Sequence, residues 1–308
     1  MERIDPEILG QFTFTRVLIW AIYIRIIPST KQAPLQQIRL DNGDCDRHTW
    51  SIPMNDWRAR IGFLIPPTNP TVEKEMFELA PHGVSVHFAR MVAKGPVGTL
   101  DNLHQRAASH LEHLGETIEM LASVEPDVIV LAHTATSYIL GPKGERELTA
   151  RMEKLTGIPF ISALGSAVTA FEMLGIKKIS MGTAYDKALT EKGKSTLEAH
   201  GLHVLHAECL PDVKCIFDEP EKRVYSLAKS ANRAQSQAVF LSGVGLPTIG
   251  LLESLEEDLD KPVISSCSAM MWNALRVAGV GTPVFGFGGL LENTKLRHAK
   301  TPKKKSKS

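Results

Sequence analysis

The stretch DVIVLAHTATSYI, residues 127–139, ends an apolar, β-branched run with His133, Thr134, Thr136 and Ser137. Imidazole titrates near neutrality, so His133 is the side chain in this cluster best suited to move a proton. Hydroxyls beside it could hold an anion. A second apolar run, AVFL, ends in the same manner at Ser242-Gly243-Val244-Gly245. Both ends lead into helix-like stretches, whose free backbone N–H groups favour an anion such as a carboxylate. On spacing alone the plainer alternative stands beside this one. His133 is then a packed, hydrogen-bonded residue, and Gly243 and Gly245 only permit a tight turn.

Three further clusters follow strand-like runs. PPTNPTVE sets Thr68 and Asn69 ahead of a helix that starts near Thr71 and Glu73, with Pro70 suited to its first turn. GTAYD sets Thr183, Tyr185 and Asp186 at the corresponding level. Tyr185 could donate a proton, and Asp186 reads chiefly as the cap of the next helix. SSCSAMMW sets Cys267 among Ser265, Ser266 and Ser268 at another helix start. A thiol there can be activated, although a lone cysteine also serves as a small buried filler. GFGG, 286–289, lacks the GxGxxG form, and there is no GxxxxGK[ST], HExxH or GxSxG motif. His104, His110 and His113 share one helical stretch and read as surface residues. Neither a metal nor a nucleotide cofactor is expected.

The elements that must carry these clusters alternate. Strand-like runs are IGFLIP (61–66), VSVHFA (84–89), DVIVLA (127–132), PFISA (159–163), KISMGT (178–183), HVLHAE (203–208), AVFLSG (238–243) and PVISS (262–266). Helical spacing fills the gaps, as in 103–124 and 188–200. Short apolar strands alternating with helices predict an α/β fold with mostly parallel, doubly wound sheets. The pattern also repeats about a hundred residues on. GIPFISALGSAVTAFEMLGI is answered by DKPVISSCSAMMWNALRVAGV, and VIVLAHTATS by AVFLSGVGLPT. Two pseudo-symmetric, Rossmann-like domains are therefore expected, with the site in the cleft between them. The boundaries read as 57–160 plus 262–291 for the first domain and 161–261 for the second.

Composition bounds the partners. Of 308 residues, 43% are hydrophobic and 22% charged, enough for a sizeable core. The net charge is +1, but residues 295–308 hold seven basic and no acidic side chains, leaving the body near −6. That body offers no basic surface for nucleic acid. Residues 292–308 read as a solvated basic tail and residues 1–56 as a poorly structured extension preceding the patterned region. VLIWAIYIRII, 17–27, falls short of the roughly 20 residues a membrane span needs. Cys45, Cys209, Cys215 and Cys267 show no metal-like spacing and suggest reduced thiols in the cytoplasm.

In RIGFLIPPTNPTVEKEM, GTAYD and KPVISSCSAMMWNALRVAGV, all in the same order, the chain resembles the aspartate/glutamate racemase superfamily. Its maleate cis-trans isomerase and arylmalonate decarboxylase branch is the most similar, over about residues 57–291. The resemblance implies two α/β halves around a small carboxylic acid, no cofactor, and an assembly compatible with a homo-oligomer. It implies chemistry at the carbon beside a carboxylate, normally through a cysteine at one or both third-strand ends. Those positions match His133 and Gly243, so both usual thiols are missing. His133 and Tyr185, with Cys267 as a displaced thiol, become the catalytic candidates. Thr68, Asn69, Thr134, Gly243 and Val244 match substrate-holding positions. Retention of the holding groups without the thiols leaves a non-catalytic carboxylate-binding protein as the alternative.

Overall fold

The computed structural model describes residues 58–92 and 109–292. The extension expected at 1–56, the basic tail beyond Glu292 and His104 lie outside the described residues.

All eight strand-like runs form strands: β1 (Ala59–Ile65), β2 (Val84–Arg90), β3 (Val128–Leu131), β4 (Phe160–Ser162), β5 (Lys178–Thr183), β6 (His203–Cys209), β7 (Ala238–Ser242) and β8 (Val263–Ser265). They build two four-stranded sheets of matching order, β2-β1-β3-β4 and β6-β5-β7-β8. Every pairing is parallel. The repeated sequence pattern is thus a repeated sheet. β3 and β7 lie inside their sheets and are buried along their whole length. This explains their continuous apolar runs, since a parallel strand covered on both faces has no polar side to alternate. The edge strands β2 and β6 are half-exposed over most of their length.

Helices follow the strands: α1 (Thr71–Leu79), α2 (Leu114–Ala122), α3 (Thr134–Thr156), α4 (Ala163–Met173), α5 (Lys187–Ala199), α6 (Glu221–Ala231), α7 (Leu252–Leu259) and α8 (Ser266–Val277). The starts of α4, α5 and α8 are set by short polar side chains. Asp186 accepts from the Leu189 N–H at 2.7 Å, as expected of a cap. Ser162 accepts from Gly165, and Ser265 forms a capping box with Ser268. α3 is two helical segments joined at Gly141-Pro142, where Gly141 has φ 65°. A left-handed φ suits glycine, and proline removes a helical N–H, so the kink is written in the sequence.

One domain boundary differs from expectation. The strand at 262–266, assigned above to the first half, pairs with β7 in the second sheet, Val239 opposite Val263. The α7 crossover returns the chain beside the strand it has just left. What does reach across is the next helix. Residues Ser266–Leu275 of α8 are all buried, so this helix needs cover on nearly every side. It packs against α4 and α1, the helices that follow β4 and β1 of the first sheet, so α4 too departs from its expected place in the second domain. The largest core cluster accordingly unites both halves, with Phe63, Tyr138 and Phe171 together with Phe240, Met270 and Met271. Phe171 meets Phe240 edge to face at 5.7 Å. Among the described residues no helix is long and apolar enough to cross a membrane.

Candidate functional site

The carboxyl ends of β3, β5 and β7 and the start of α8 converge on one small polar cluster. Thr134, first residue of α3, donates its hydroxyl to Ser266 Oγ at 3.1 Å. The Gly243 N–H, at the end of β7, donates to the same oxygen, also at 3.1 Å. Tyr185 follows β5, and its Oη lies 3.4 Å from where a β-carbon on Gly243 would stand. Burial pushes the Tyr185 phenol well above its ordinary range, neighbouring Tyr138 adds to this, and the Thr134 hydroxyl partly offsets it. Tyr185 therefore keeps its proton and is a donor. Tyr138 holds it from behind, ring edge to face at 6.1 Å, and is itself hydrogen-bonded to Ser242.

His133 precedes Thr134 in the chain, as the N-cap residue of α3. It is only 7% exposed, and its Nδ1 lies 2.7 Å from the Thr136 hydroxyl. The His110 ring meets it edge-on at 5.3 Å. His110, expected on the surface, is 3% exposed, with Nδ1 2.7 Å from the Val92 carbonyl. A carbonyl can only accept, so this nitrogen carries the proton. The signal was present in the sequence. His110 continues the buried stripe of Leu114, Thr117, Ile118 and Leu121 along one helical face.

A second group adjoins the first through Val244, whose carbonyl accepts from Asn69 Nδ2 at 3.2 Å and from the Cys267 thiol at 3.8 Å. Asn69 is committed to structure: its Oδ1 caps α1 through the N–H groups of Thr71 and Val72. The backbone donors expected to face an anion are thus occupied here, and at Gly243, by side chains of the protein itself. Thr68 is exposed and stands apart from the buried cluster.

Cys267 is 1% exposed, and burial, together with the adjoining Glu75 carboxyl, pushes its thiol well up. The helix start that could have activated this thiol is outweighed. Sequence reasoning missed Glu75, a charged residue on the buried face of α1. Burial raises its pKa, while hydrogen bonds from Cys267 and from the backbone of Thr248 and Ile249 oppose the rise. Behind the His133 loop lies Glu145, also missed. Burial acts to raise its pKa, but the His200 ring, with Nε2 3.7 Å away, and hydrogen bonds from Ser137 and Ser162 prevail and hold it below the ordinary value. Among the described residues no three His, Cys, Asp or Glu side chains group as metal ligands would.

With this geometry in view, comparisons with known proteins agree on one kind of relative. The sequence model of the arylmalonate decarboxylase family matches residues 61–291. A maleate isomerase from Geobacillus stearothermophilus is 26% identical over 252 residues, covering 75% of this chain and 96% of that protein. An arylmalonate decarboxylase from Bordetella bronchiseptica is 27% identical over 172 residues, covering 54% of this chain and 72% of that protein. Among solved structures, a mutant maleate cis-trans isomerase of Nocardia farcinica with a covalently bound succinylcysteine intermediate has the same fold. It superposes with TM-score 0.70 at 24% identity, covering 76% of this chain and 98% of that one.

Proposed function

The chain belongs to the arylmalonate decarboxylase family, and from that premise we propose that it is a cofactor-independent isomerase or decarboxylase of a small (di)carboxylic acid. The reaction takes place at the carbon next to a carboxylate. The observation that carries this reading is the convergence of Thr134, Tyr185, Gly243 and Ser266 on one point, with His133 the residue that precedes Thr134. Neutral hydroxyl donors gathered at strand ends suit an enediolate, in which a carboxylate gains charge as the adjacent carbon becomes a carbanion. Tyr185 holds the carboxylate with its hydroxyl and Thr134 with its helix-start N–H, with Gly243 and Val244 forming the wall.

His133 is the acid and base. In a decarboxylation the bond to one carboxylate breaks and carbon dioxide leaves, its bonding electrons enter the remaining carboxylate as an enediolate, and the imidazolium gives its proton to carbon and is reloaded from water. In a double-bond shift the same imidazole removes a proton and gives it back. A single base fits either of these better than a two-base racemisation. A thiol adduct of the kind held by the Nocardia structure has weaker support in this chain, since Cys267 is buried with its proton firmly held. The free Cys209, Cys215 and Cys267 keep the cytoplasm as the proposed compartment.

Proton exchange in D₂O, followed by NMR with maleate, aspartate, glutamate, methylmalonate and phenylmalonate, tests the reading. Deuterium beside a carboxylate, or a new product, is the expected result. His133→Ala should abolish turnover while leaving ligand line broadening, and Cys267→Ser should leave turnover within about threefold. Full activity in His133→Ala removes the assignment, and loss in Cys267→Ser moves the chemistry to the thiol. Line broadening without exchange in the unaltered protein favours the second reading, a carboxylate-binding protein. The residues His133 and Gly243, where the family resemblance implies thiols, favour that reading.

A further inference from the structure

We propose that Ser266 is a ligand-contacting residue of the site, the hydroxyl that donates to the bound carboxylate; this rests on the carboxylate reading above. Ser266 is fully buried at the first position of α8. Its oxygen accepts from Thr134, at the end of β3, and from the Gly243 N–H, at the end of β7. A hydroxyl oxygen has two lone pairs and one proton. Both lone pairs are taken by these bonds, one from each half of the molecule. The proton is the part of the group left over, and among the described residues no protein acceptor takes it.

A buried hydroxyl that cannot place its proton costs free energy of the order of a lost hydrogen bond. An incoming carboxylate oxygen answers that need, because it accepts and cannot donate. Polarisation adds to the effect. Accepting two hydrogen bonds makes the Ser266 proton a stronger donor. One neighbour of that point is also a donor, since the Tyr185 phenol holds its proton, and the Gly243 and Thr134 bonds fix the serine oxygen in place. A ligand offering donors there would meet donors; a carboxylate meets none of its own kind. Ser266 also explains why the Gly243 N–H is turned to a side chain: its donor capacity reaches the ligand through the serine.

Isothermal titration of the full chain with maleate and with phenylmalonate decides the point, using the unaltered protein, Ser266→Ala and Ser266→Cys. A hydrogen bond to a charged group predicts that both variants bind at least about tenfold more weakly. The cysteine variant keeps the side-chain volume and replaces the hydroxyl by a weak donor, so it answers the question if the alanine variant fails to fold. Binding within twofold of the unaltered protein, in either folded variant, overturns the proposal for Ser266 and leaves the carboxylate reading intact. If the unaltered protein binds neither acid, the carboxylate reading falls and the serine proposal with it.

Discussion

At the scale of single residues, the distinction that matters is between side chains that fold the site and those left to work in it. Asn69 illustrates the first kind. It follows β1 in a position that suggests carboxylate binding, yet both ends of its amide tie the helix start to Val244. Sequence patterns cannot separate these roles, because a capping amide and a ligand-holding amide occupy the same spacing. Asp186 was legible as a cap because capping is local. Glu75 was not, since its burial depends on what a distant segment brings to cover it. Cys267 shows the same limit, as its helix-start position suggests activation while its surroundings prevent it. Iodoacetamide at neutral pH should therefore label the half-buried Cys209 and Cys215 ahead of Cys267, read by peptide mass spectrometry. Labelling that begins at Cys267 would contradict the environment described for it.

At the scale of elements, the strands were the most legible part of the chain. Buried parallel strands demand continuous apolar runs, and eight such runs became eight strands. How helices seat against them is less visible, because close approach is set by the absence of a side chain. Gly193 in α5 is such a place. A β-carbon there would stand 2.5 Å from a carbon of the Tyr138 ring, which lies against it fully buried. Alanine is ordinarily the better helix former by about 1 kcal/mol. Here overpacking should prevail, so Gly193→Ala is expected to destabilise by about 1–3 kcal/mol in a denaturant melt. The displaced ring would also move Tyr185, and activity should fall by more than the loss of folded protein explains. An equal or higher melting point would show that the Tyr138 ring is free to yield.

At the scale of the whole molecule, two repeated sheets share one core and are joined by buried polar links. Glu75 of the first half accepts from the Thr248 N–H at 2.6 Å, and Thr71 donates to the Gly245 carbonyl at 3.1 Å. Asn273 Nδ2 reaches Ser166 at 3.2 Å. The repeat was legible as a sequence echo, but the placement of β8 was not, because the echo fixes what an element is and leaves open which sheet it joins. Glu75 also gives the fold a pH signature. Its folded pKa is raised above the ordinary 4.5, so the native state holds the proton more tightly than the unfolded chain does. The stabilisation is then complete below that ordinary value and is lost as pH rises through the folded pKa. Glu145 has the opposite sign, contributing above the ordinary value and losing its contribution as pH falls. Melting curves between about pH 4 and 8 should show Glu75→Gln gaining on the unaltered protein as pH rises. A constant difference across that range would mean that Glu75 ionises as it does in water.

The backbone at the two equivalent strand ends carries one more consequence. His133 sits at φ −149°, extended backbone open to any side chain. Gly243 sits at φ 126°, with the Ile216 Cδ1 only 3.2 Å from where its β-carbon would be. Strain of this kind typically costs of order 1–3 kcal/mol. The pair is therefore conformationally lopsided. A thiol can enter at 133 without backbone strain, whereas at 243 the loop must shift to take any side chain. Of the two equivalent ends, only the first leaves the choice of side chain free of backbone cost.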